Sequence, residues 1–321
     1  MGMLFALFGG LAMFLYGMDR MSRALQRAAG DAMKRLLARL TATPLLGVLT
    51  GLAVTAVLQS SSAATVMVIG FVSAGLLELP RAVAVIYGIN IGTTMTAQLI
   101  AFDVQTLVYP VLFLGFLLDF AARRPRWQAV GEAVFSFGLL FEGIDILGRA
   151  LQPLAGQAVF LDWMTRVKES PLLGILLGLS MTMVVQSSSA TIALLQNVAR
   201  QAGPDGIHSV LGLGRGGAGP SWATTSARRS RPCWPAVGRG KDAARAALAH
   251  SCFNLSGSLL AAVLLPWFVR LVEFISPKGP ELEVISRQIA NAHTAFNVCC
   301  ALLWLPFLPW MVRLVCALVP E

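Results

Sequence analysis

The sequence predicts an all-α polytopic membrane protein made of two repeats, each carrying a broken or re-entrant helix. Three observations lead to this prediction: an apolar composition, a series of long apolar stretches, and a polar motif that occurs twice inside apolar sequence. Hydrophobic residues make up 56% of the 321 residues, and charged residues make up only 13%. Soluble domains carry about a quarter charged residues, so this composition indicates an integral membrane protein whose partner is the lipid bilayer.

Several apolar stretches are long enough to span or partly span a bilayer: 2–18, 45–77, 83–121, 129–149, 171–199, 247–274 and 293–319. A helical bundle fits them better than a β-barrel, because barrel strands alternate polar and apolar residues. The first stretch has no basic residue before it and no small-residue cleavage site. We therefore expect a retained helix there rather than a signal peptide.

The formal net charge of +9 does not by itself indicate a nucleic-acid partner. Basic residues cluster beside apolar stretches, as cytoplasmic juxtamembrane residues do. The clusters are Arg20, Arg23, Arg27, Lys34, Arg35 and Arg39, and Arg123, Arg124 and Arg126. The five cysteines show no CxxC spacing, which favours buried thiols over a metal site.

The chain repeats itself at an offset of 127 residues. Residues 44–63 (PLLGVLTGLAVTAVLQSSSA) match residues 171–190 (PLLGILLGLSMTMVVQSSSA) at 14 of 20 positions without a gap. A shorter echo pairs AHSCFN at 249–254 with AHTAFN at 292–297. We predict transmembrane repeat one over 1–125, transmembrane repeat two over 126–270 and C-terminal transmembrane sequence over 271–321. Inverted repeats are expected, as in many secondary transporters.

Each apolar arm around QSSS is too short to cross a hydrocarbon core of about 30 Å as a helix. Consecutive serines favour local side-chain-to-backbone hydrogen bonds, so QSSS is expected at a helix break or at the tip of a re-entrant hairpin. Ser60 and Ser187 are expected to cap the helices that follow. Helix–helix packing is the alternative use for membrane serines. The repetition of Gln and three serines at equivalent places favours a binding site, because their hydroxyls and amides supply neutral donors for an oxyanion. The predicted substrate-binding residues are Gln59, Ser60, Ser61, Ser62, Gln186, Ser187, Ser188 and Ser189.

A second polar element, YGINIGTTMTAQLI at 87–100, places an asparagine and three threonines inside an apolar stretch. Hydroxyl and amide oxygens are suitable ligands for a hard cation such as Na⁺. Threonine hydroxyls can also bond back to their own helix, so both uses stay open. The predicted ion ligands are Asn90, Thr93, Thr94, Ser61 and Ser188, and Thr96 belongs to the same element.

QSSSA, then an apolar arm ending in GLL at 75–77, then GINIGTT resembles the sodium-dependent phosphate cotransporter family. The doubled QSSS, MFLYGM in the first stretch and AHSCFN are similar too, and the resemblance covers most of residues 1–300. It implies Na⁺-coupled transport of inorganic phosphate by a multi-pass protein of the bacterial inner membrane. It implies no enzyme activity and no cofactor besides sodium as the coupling ion. It also implies two inverted repeats, each contributing a QSSS hairpin to one central site, with transport by alternating access.

The second repeat departs from this pattern, because it has no GINIGTT element. The 127-residue offset leads instead to a stretch at 214–240 that has five arginines and no acidic residue. Residues 222–234 can be encoded by codons that, when translated from two bases further along, give the sequence GNNIGTTVTALL. That sequence agrees with GINIGTTMTAQL at 88–99 in nine of twelve positions. We infer a pair of frameshifts, genuine or a sequencing error; without the five arginines the formal charge falls from +9 to +4.

Other ionisable residues allow further interpretations. Glu142 is a possible cation ligand, whereas Asp19 and Asp145 are expected at the membrane interface. The two AHxxFN motifs are expected to join helices through hydrogen bonds rather than to relay protons. Three alternatives to phosphate transport stay open: transport of another small anion, a transport-inactive protein because of the damaged second repeat, and an intramembrane serine hydrolase. The absence of a nucleophile-elbow sequence and the symmetric serine triplets argue against the hydrolase.

Overall fold

The structure is a computed structural model, and it describes residues 2–39, 41–102, 104–203, 205–213 and 241–320. Within these residues the secondary structure is helical, and an isolated bridge between Ala202 and Ser209 is the one extended pairing. The predicted all-α class is therefore confirmed. The stretch 214–240, predicted to be frame-scrambled, lies outside the described residues.

Helices begin and end at the following residues: α1 (Gly2–Arg39), α2 (Pro44–Leu58), α3 (Ser61–Ser73), α4 (Leu79–Gly92), α5 (Met95–Ile100), a 3₁₀ helix (Gln105–Leu107), α6 (Val108–Ala121), α7 (Pro125–Ala155), α8 (Ala158–Glu169), α9 (Pro171–Val185), α10 (Ser188–Ala199), α11 (Lys241–Val263), α12 (Leu265–Ile275), α13 (Glu281–Trp304) and α14 (Leu308–Leu318).

Packing divides the chain into two compact units. The first unit comprises Met1–Ala28, Ala97–Thr224 and Leu265–Ala292. The second unit comprises Ala29–Thr96, Thr225–Leu264 and His293–Glu321. Each unit takes residues from both predicted repeats, so this division describes packing and leaves the predicted repeat boundaries as predictions.

In the first unit, α1 packs closely against α7. A Cβ atom built on Gly17 would lie 2.8 Å from the Leu140 nitrogen, and one built on Gly143 would lie 2.4 Å from the Phe14 nitrogen. Small residues allow membrane helices to approach in this way. Phe14 and Leu140 also belong to the buried apolar cluster of this unit. In addition, α6 lies along α7, α10 contacts both α7 and α9, and α8 packs against α9.

In the second unit, α2 lies along α4, and α3, α11 and α14 also pack against α4. The α2–α4 contact depends on glycine. A Cβ atom on Gly88 would lie 1.8 Å from the Val48 carbonyl oxygen, and one on Gly51 would lie 2.0 Å from the Val85 carbonyl oxygen. The central helix of this unit is therefore α4, whose last residues, 88–92, are the first five of the polar sequence GINIGTT.

Among the described residues, three helices are long and apolar enough to cross a membrane: Gly2–Ala38, Leu79–Ile100 and Lys241–Val263. Two bent pairs raise the number to five if each pair forms one span: Ala158–Val167 with Leu172–Val185, and Glu281–Trp304 with Leu308–Leu318. These apolar helices agree with the predicted polytopic membrane protein. The apolar stretch 83–121 is divided among α4, α5, the 3₁₀ helix and α6.

Candidate functional site

The first QSSS motif interrupts a helix between α2 and α3. Thr43 caps the start of α2, and the helix continues without a break to Leu58. Gln59 then adopts a left-handed conformation, with φ 50° and ψ 27°. Ser60 is extended, and its side-chain oxygen accepts a hydrogen bond from the Ala63 amide, so that a new helix begins at once.

The second motif has the same local structure 127 residues later. Ser170 caps α9, which has the same 15-residue length as α2. Gln186 is left-handed with φ 58° and ψ 22°, and Ser187 caps α10 by accepting a hydrogen bond from the Ala190 amide. The predicted capping roles of both serines are confirmed. The sequence repeat is therefore also a repeat of helix, break and helix.

The two glutamines are the non-glycine residues with positive φ in the described part of the chain. A left-handed conformation strains any residue that has a Cβ atom, and such strain is found mainly where function or packing requires it. Both carboxamides bend back onto the preceding helix, where Gln59 Nε2 donates to the Ala56 carbonyl and Gln186 Nε2 donates to the Met183 carbonyl. The break in the helix thus begins at the first residue of each motif.

A β-branched side chain at position 186 should therefore destabilise the protein more than glycine does. Gln186→Val places a branched Cβ at φ 58°, which should cost about 1–2 kcal/mol of unfolding free energy. Gln186→Gly relieves the backbone strain but increases the conformational entropy of the unfolded chain. We therefore expect the free energy of unfolding to change by less than about 1 kcal/mol. Equilibrium unfolding of both purified variants checks this; equal losses would contradict a strained turn.

The second serine of each motif is buried, whereas the third serines differ in exposure. Ser61 and Ser188 are buried at the first turn of α3 and α10, with relative exposures of 9% and 3%. Ser62 is exposed and Ser189 is half-buried. Because Ser60 and Ser187 use an oxygen lone pair to cap the helix, their hydroxyl hydrogens can still be donated to a ligand.

The start of α5 contacts the first motif. The Thr96 hydroxyl donates to Gln59 Oε1 at 2.9 Å, which ties the polar element at 87–100 to the QSSS turn within the second unit. Thr93 and Thr94 donate their hydroxyl hydrogens to the carbonyls of Ile89 and Ile91. The predicted back-bonding of threonine is thus observed. It leaves the oxygen lone pairs, rather than the hydrogens, available to a ligand.

Asn90 is held by α11. Its side-chain oxygen accepts a hydrogen bond from His250 Nε2 at 3.1 Å and from Asn254 Nδ2 at 3.0 Å, and its own Nδ2 donates to the Ile86 carbonyl. The prediction that AHSCFN joins helices through hydrogen bonds is confirmed for this copy. Its phenylalanine, Phe253, stacks on Tyr87 of α4 with ring centroids 4.7 Å apart.

Three carboxylates that the sequence singled out, Asp19, Glu142 and Asp145, belong to the first unit. Asp19 pairs with Arg23 at 2.8 Å, and Asp145 pairs with Arg149 one turn further along α7. Glu142 Oε1 accepts a long hydrogen bond of 3.5 Å from the Tyr109 hydroxyl. Two of these three carboxylates therefore form ion pairs along their own helix, and the role of Glu142 as a cation ligand stays a prediction.

Two buried groups near the motifs were not predicted as functional residues. Thr55 and Thr182 lie one turn before the two glutamines, at the same 127-residue offset, and are 0% and 1% exposed. The sequence carried a signal for this pair, because the threonine is one of the positions at which the two repeats are identical. Gln196 on α10 is also buried, and its amide donates to the carbonyls of Ala97 and Ser286 within the first unit.

The two motifs belong to different units. The second unit contains Gln59, Ser60, Ser61, Ser62, Asn90, Thr93 and Thr94, and the first unit contains Gln186, Ser187, Ser188 and Ser189. Within the second unit, the hydrogen bond between Gln59 and Thr96 brings the predicted anion-binding and cation-binding elements together. None of the motif side chains is ionisable, so each motif offers dipoles and not charges to a ligand.

The chain is similar to known proteins along most of its length. The family model described as Na⁺/Pi-cotransporter matches residues 13–149 and 141–202. The Bacillus subtilis protein YqeW is 30% identical over 268 residues, covering 84% of this chain and 83% of that protein. The rabbit sodium-dependent phosphate transport protein 2A is 40% identical over 95 residues, which is 28% of this chain and 14% of that protein. No solved structure matches the chain significantly.

A further relative is named for phosphate export. The putative inorganic phosphate export protein YjbB of Escherichia coli K12 is 25% identical over 288 residues. This alignment covers 87% of the chain but only 50% of YjbB. The family model covers more than half of the chain, and YqeW is similar along most of its length. The chain therefore belongs to the Na⁺/Pi-cotransporter family.

Proposed function

We propose that this chain transports inorganic phosphate together with Na⁺ across a bacterial cytoplasmic membrane, by alternating access of two inverted repeats. The observation that carries this proposal is the paired helix break, in which a left-handed glutamine is followed by a capping serine at 59–60 and again at 186–187. Membership of the Na⁺/Pi-cotransporter family supports phosphate as the substrate. We further propose that each QSSS segment forms a hairpin that binds the transported anion.

The chemistry of the serines suits an anion. The oxygens of Ser60 and Ser187 already accept hydrogen bonds from backbone amides, so their hydroxyl hydrogens remain available to donate to the oxygens of an anion. The first amides of α3 and α10 add the partial positive charge of a helix N-terminus, which favours phosphate oxygens. Both motifs thereby supply donors without supplying a full positive charge.

The chemistry of the threonines suits a cation. Thr93 and Thr94 donate their hydroxyl hydrogens to backbone carbonyls, which orients the oxygen lone pairs away from the helix. Such oxygens, together with those of Ser61 and Ser188, are appropriate ligands for Na⁺. Bound Na⁺ would then provide the positive charge that the neutral motifs lack. This charge explains in physical terms why phosphate binding should depend on sodium.

Flux measurements in proteoliposomes test the proposal directly. Two proteins are compared: the present chain and a frame-restored chain, in which 214–240 is translated in the frame that yields GNNIGTTVTALL. With an inward Na⁺ gradient, we expect the frame-restored chain to accumulate radiolabelled phosphate inside the liposomes. Replacing Na⁺ with K⁺ should stop accumulation, because the neutral motifs then lack their coupling charge.

The outcomes separate the competing functions. The present chain should show little or no flux, because its second repeat has no GINIGTT element. Equal flux with Na⁺ and K⁺ would contradict sodium coupling, and preferential uptake of sulfate would contradict phosphate as the substrate. No flux of any anion by the frame-restored chain would overturn the proposal as a whole.

A further inference from the structure

The AHxxFN motif occurs on α11 at 249–254 and on α13 at 292–297, and the proposed transport scheme uses neither copy. In the first copy, His250 and Asn254 lie one helical turn apart and donate to the same oxygen of Asn90. Asn254 Nδ2 also donates to the His250 carbonyl at 3.1 Å, which fixes the orientation of its side chain. This copy is therefore a two-donor site that binds the amide oxygen of an asparagine.

The second copy has the same internal arrangement. Asn297 Nδ2 donates to the His293 carbonyl at 2.8 Å, so its side chain is oriented as that of Asn254 is. His293, Phe296 and Asn297 are all at most 1% exposed. Among the described residues, neither ring nitrogen of His293 has a hydrogen-bond partner, whereas His250 Nε2 bonds to Asn90. The side-chain oxygens of Asn254 and Asn297 both lack a partner, so the histidine ring is what distinguishes the two copies. Buried polar groups almost always have such a partner, so the His293 ring requires an explanation.

We propose that His293 and Asn297 form a second asparagine-binding site, which takes the side-chain amide of a polar transmembrane segment of the GxNIGTT type. The inference rests on the His293 ring, whose nitrogens have no hydrogen-bond partner among the described residues, and on the His250 ring, which bonds to Asn90. It does not depend on which ion the protein transports. It makes the AHxxFN motif a device that positions the NIGTT element in each half of the protein.

A neutral amide is the partner that the chemistry favours. The site offers N–H donors in a fully buried place, and an anion would have to lose its hydration there at a high cost. An asparagine oxygen accepts two hydrogen bonds and carries no charge. The stretch 214–240 contains no asparagine in its present frame, whereas the sequence read two bases later, GNNIGTTVTALL, contains one at the position of Asn90.

Substitution by leucine tests the proposal in the chain as it exists. His250→Leu removes one of the donors to buried Asn90 and should lower the melting temperature in detergent by about 5 °C. His293→Leu removes a polar group without a partner, so the melting temperature should stay unchanged or rise. In the frame-restored chain, His293→Leu should instead lower it as His250→Leu does. Equal losses for the two variants in the present chain would overturn the proposal.

Disulfide cross-linking gives a second test that does not depend on stability. All native cysteines are first replaced by alanine in the frame-restored chain. Cysteines at Asn90 and Asn254 form the reference pair, and the asparagine of the restored NIGTT element is paired with a cysteine at Asn297. Oxidation should cross-link both pairs. A cross-link in the reference pair alone would overturn the proposal, because the second site would then lack its asparagine.

Discussion

Simultaneous replacement of Ser60, Ser61, Ser187 and Ser188 by alanine is expected to reduce Na⁺-driven phosphate flux by at least about 100-fold, because each hydrogen bond to a charged ligand contributes about 1.5–3 kcal/mol. The hydroxyls are the proposed donors to phosphate and ligands to Na⁺, so their loss removes both ions from the site. The measurement is initial uptake of radiolabelled phosphate by the frame-restored chain in liposomes.

A matched control separates this effect from loss of helix capping. Ser60→Ala and Ser187→Ala each remove an N-cap, at a cost of about 1 kcal/mol of stability. Thr43→Ala and Ser170→Ala remove the N-caps of α2 and α9 but leave QSSS intact. These control variants should lose similar stability and keep transporting phosphate. If the quadruple variant transports as fast as the control, the serines are not the site.

The same experiment distinguishes the roles of the two motifs. A variant with alanine at Ser60 and Ser61 and a variant with alanine at Ser187 and Ser188 should both lose flux, because each motif is proposed to bind the ion pair. A strong effect of one pair and none of the other would indicate a single binding motif. The sequence repeat would then reflect helix architecture, and only one copy would bind substrate.

Local features of the site could be predicted from the sequence because they depend on neighbouring residues. Capping by Ser60 and Ser187 follows from the chemistry of a hydroxyl that precedes a helix, and both caps are present. The left-handed conformation of Gln59 and Gln186 was not predicted. Glycine or asparagine is the usual residue at such a position, so the glutamines gave no sign of it.

For long-range contacts, the sequence predicted the type of interaction but not the partner residue. The AHSCFN motif was expected to bond across helices, but its partner Asn90 lies 160 residues away from His250 in sequence. Nothing local specifies that pairing. Likewise, the compact units mix residues from both predicted repeats, because the contacts of α4 with α11 and α14 join distant parts of the chain.

Gly88→Ala is expected to have the largest effect on stability of any single substitution considered for this chain. The added methyl group would lie 1.8 Å from the Val48 carbonyl oxygen and 2.8 Å from the Leu52 nitrogen. These atoms belong to the backbone of α2, so no side chain can rotate away to make room. The helices must separate, and we expect a loss of at least about 3 kcal/mol, the upper end of the cost of overpacking.

Gly70→Ala is the matched control, because it adds the same methyl group to a neighbouring helix of the same unit. A Cβ atom at position 70 meets no atom within 4 Å. Alanine is favoured over glycine within a helix, so this variant should gain about 0.5–1 kcal/mol. The two variants are compared by denaturant unfolding in detergent and by the yield of monodisperse protein.

The comparison also bears on the site, because α4 carries Asn90 just after Gly88 and leads directly into Thr93 and Thr94. If Gly88→Ala separates α4 from α2, the hydrogen bond from Thr96 to Gln59 should be lost with it. Phosphate flux by Gly88→Ala in the frame-restored chain should therefore disappear even in the fraction of protein that remains folded. Wild-type stability and flux in Gly88→Ala would show that α2 and α4 do not pack as described.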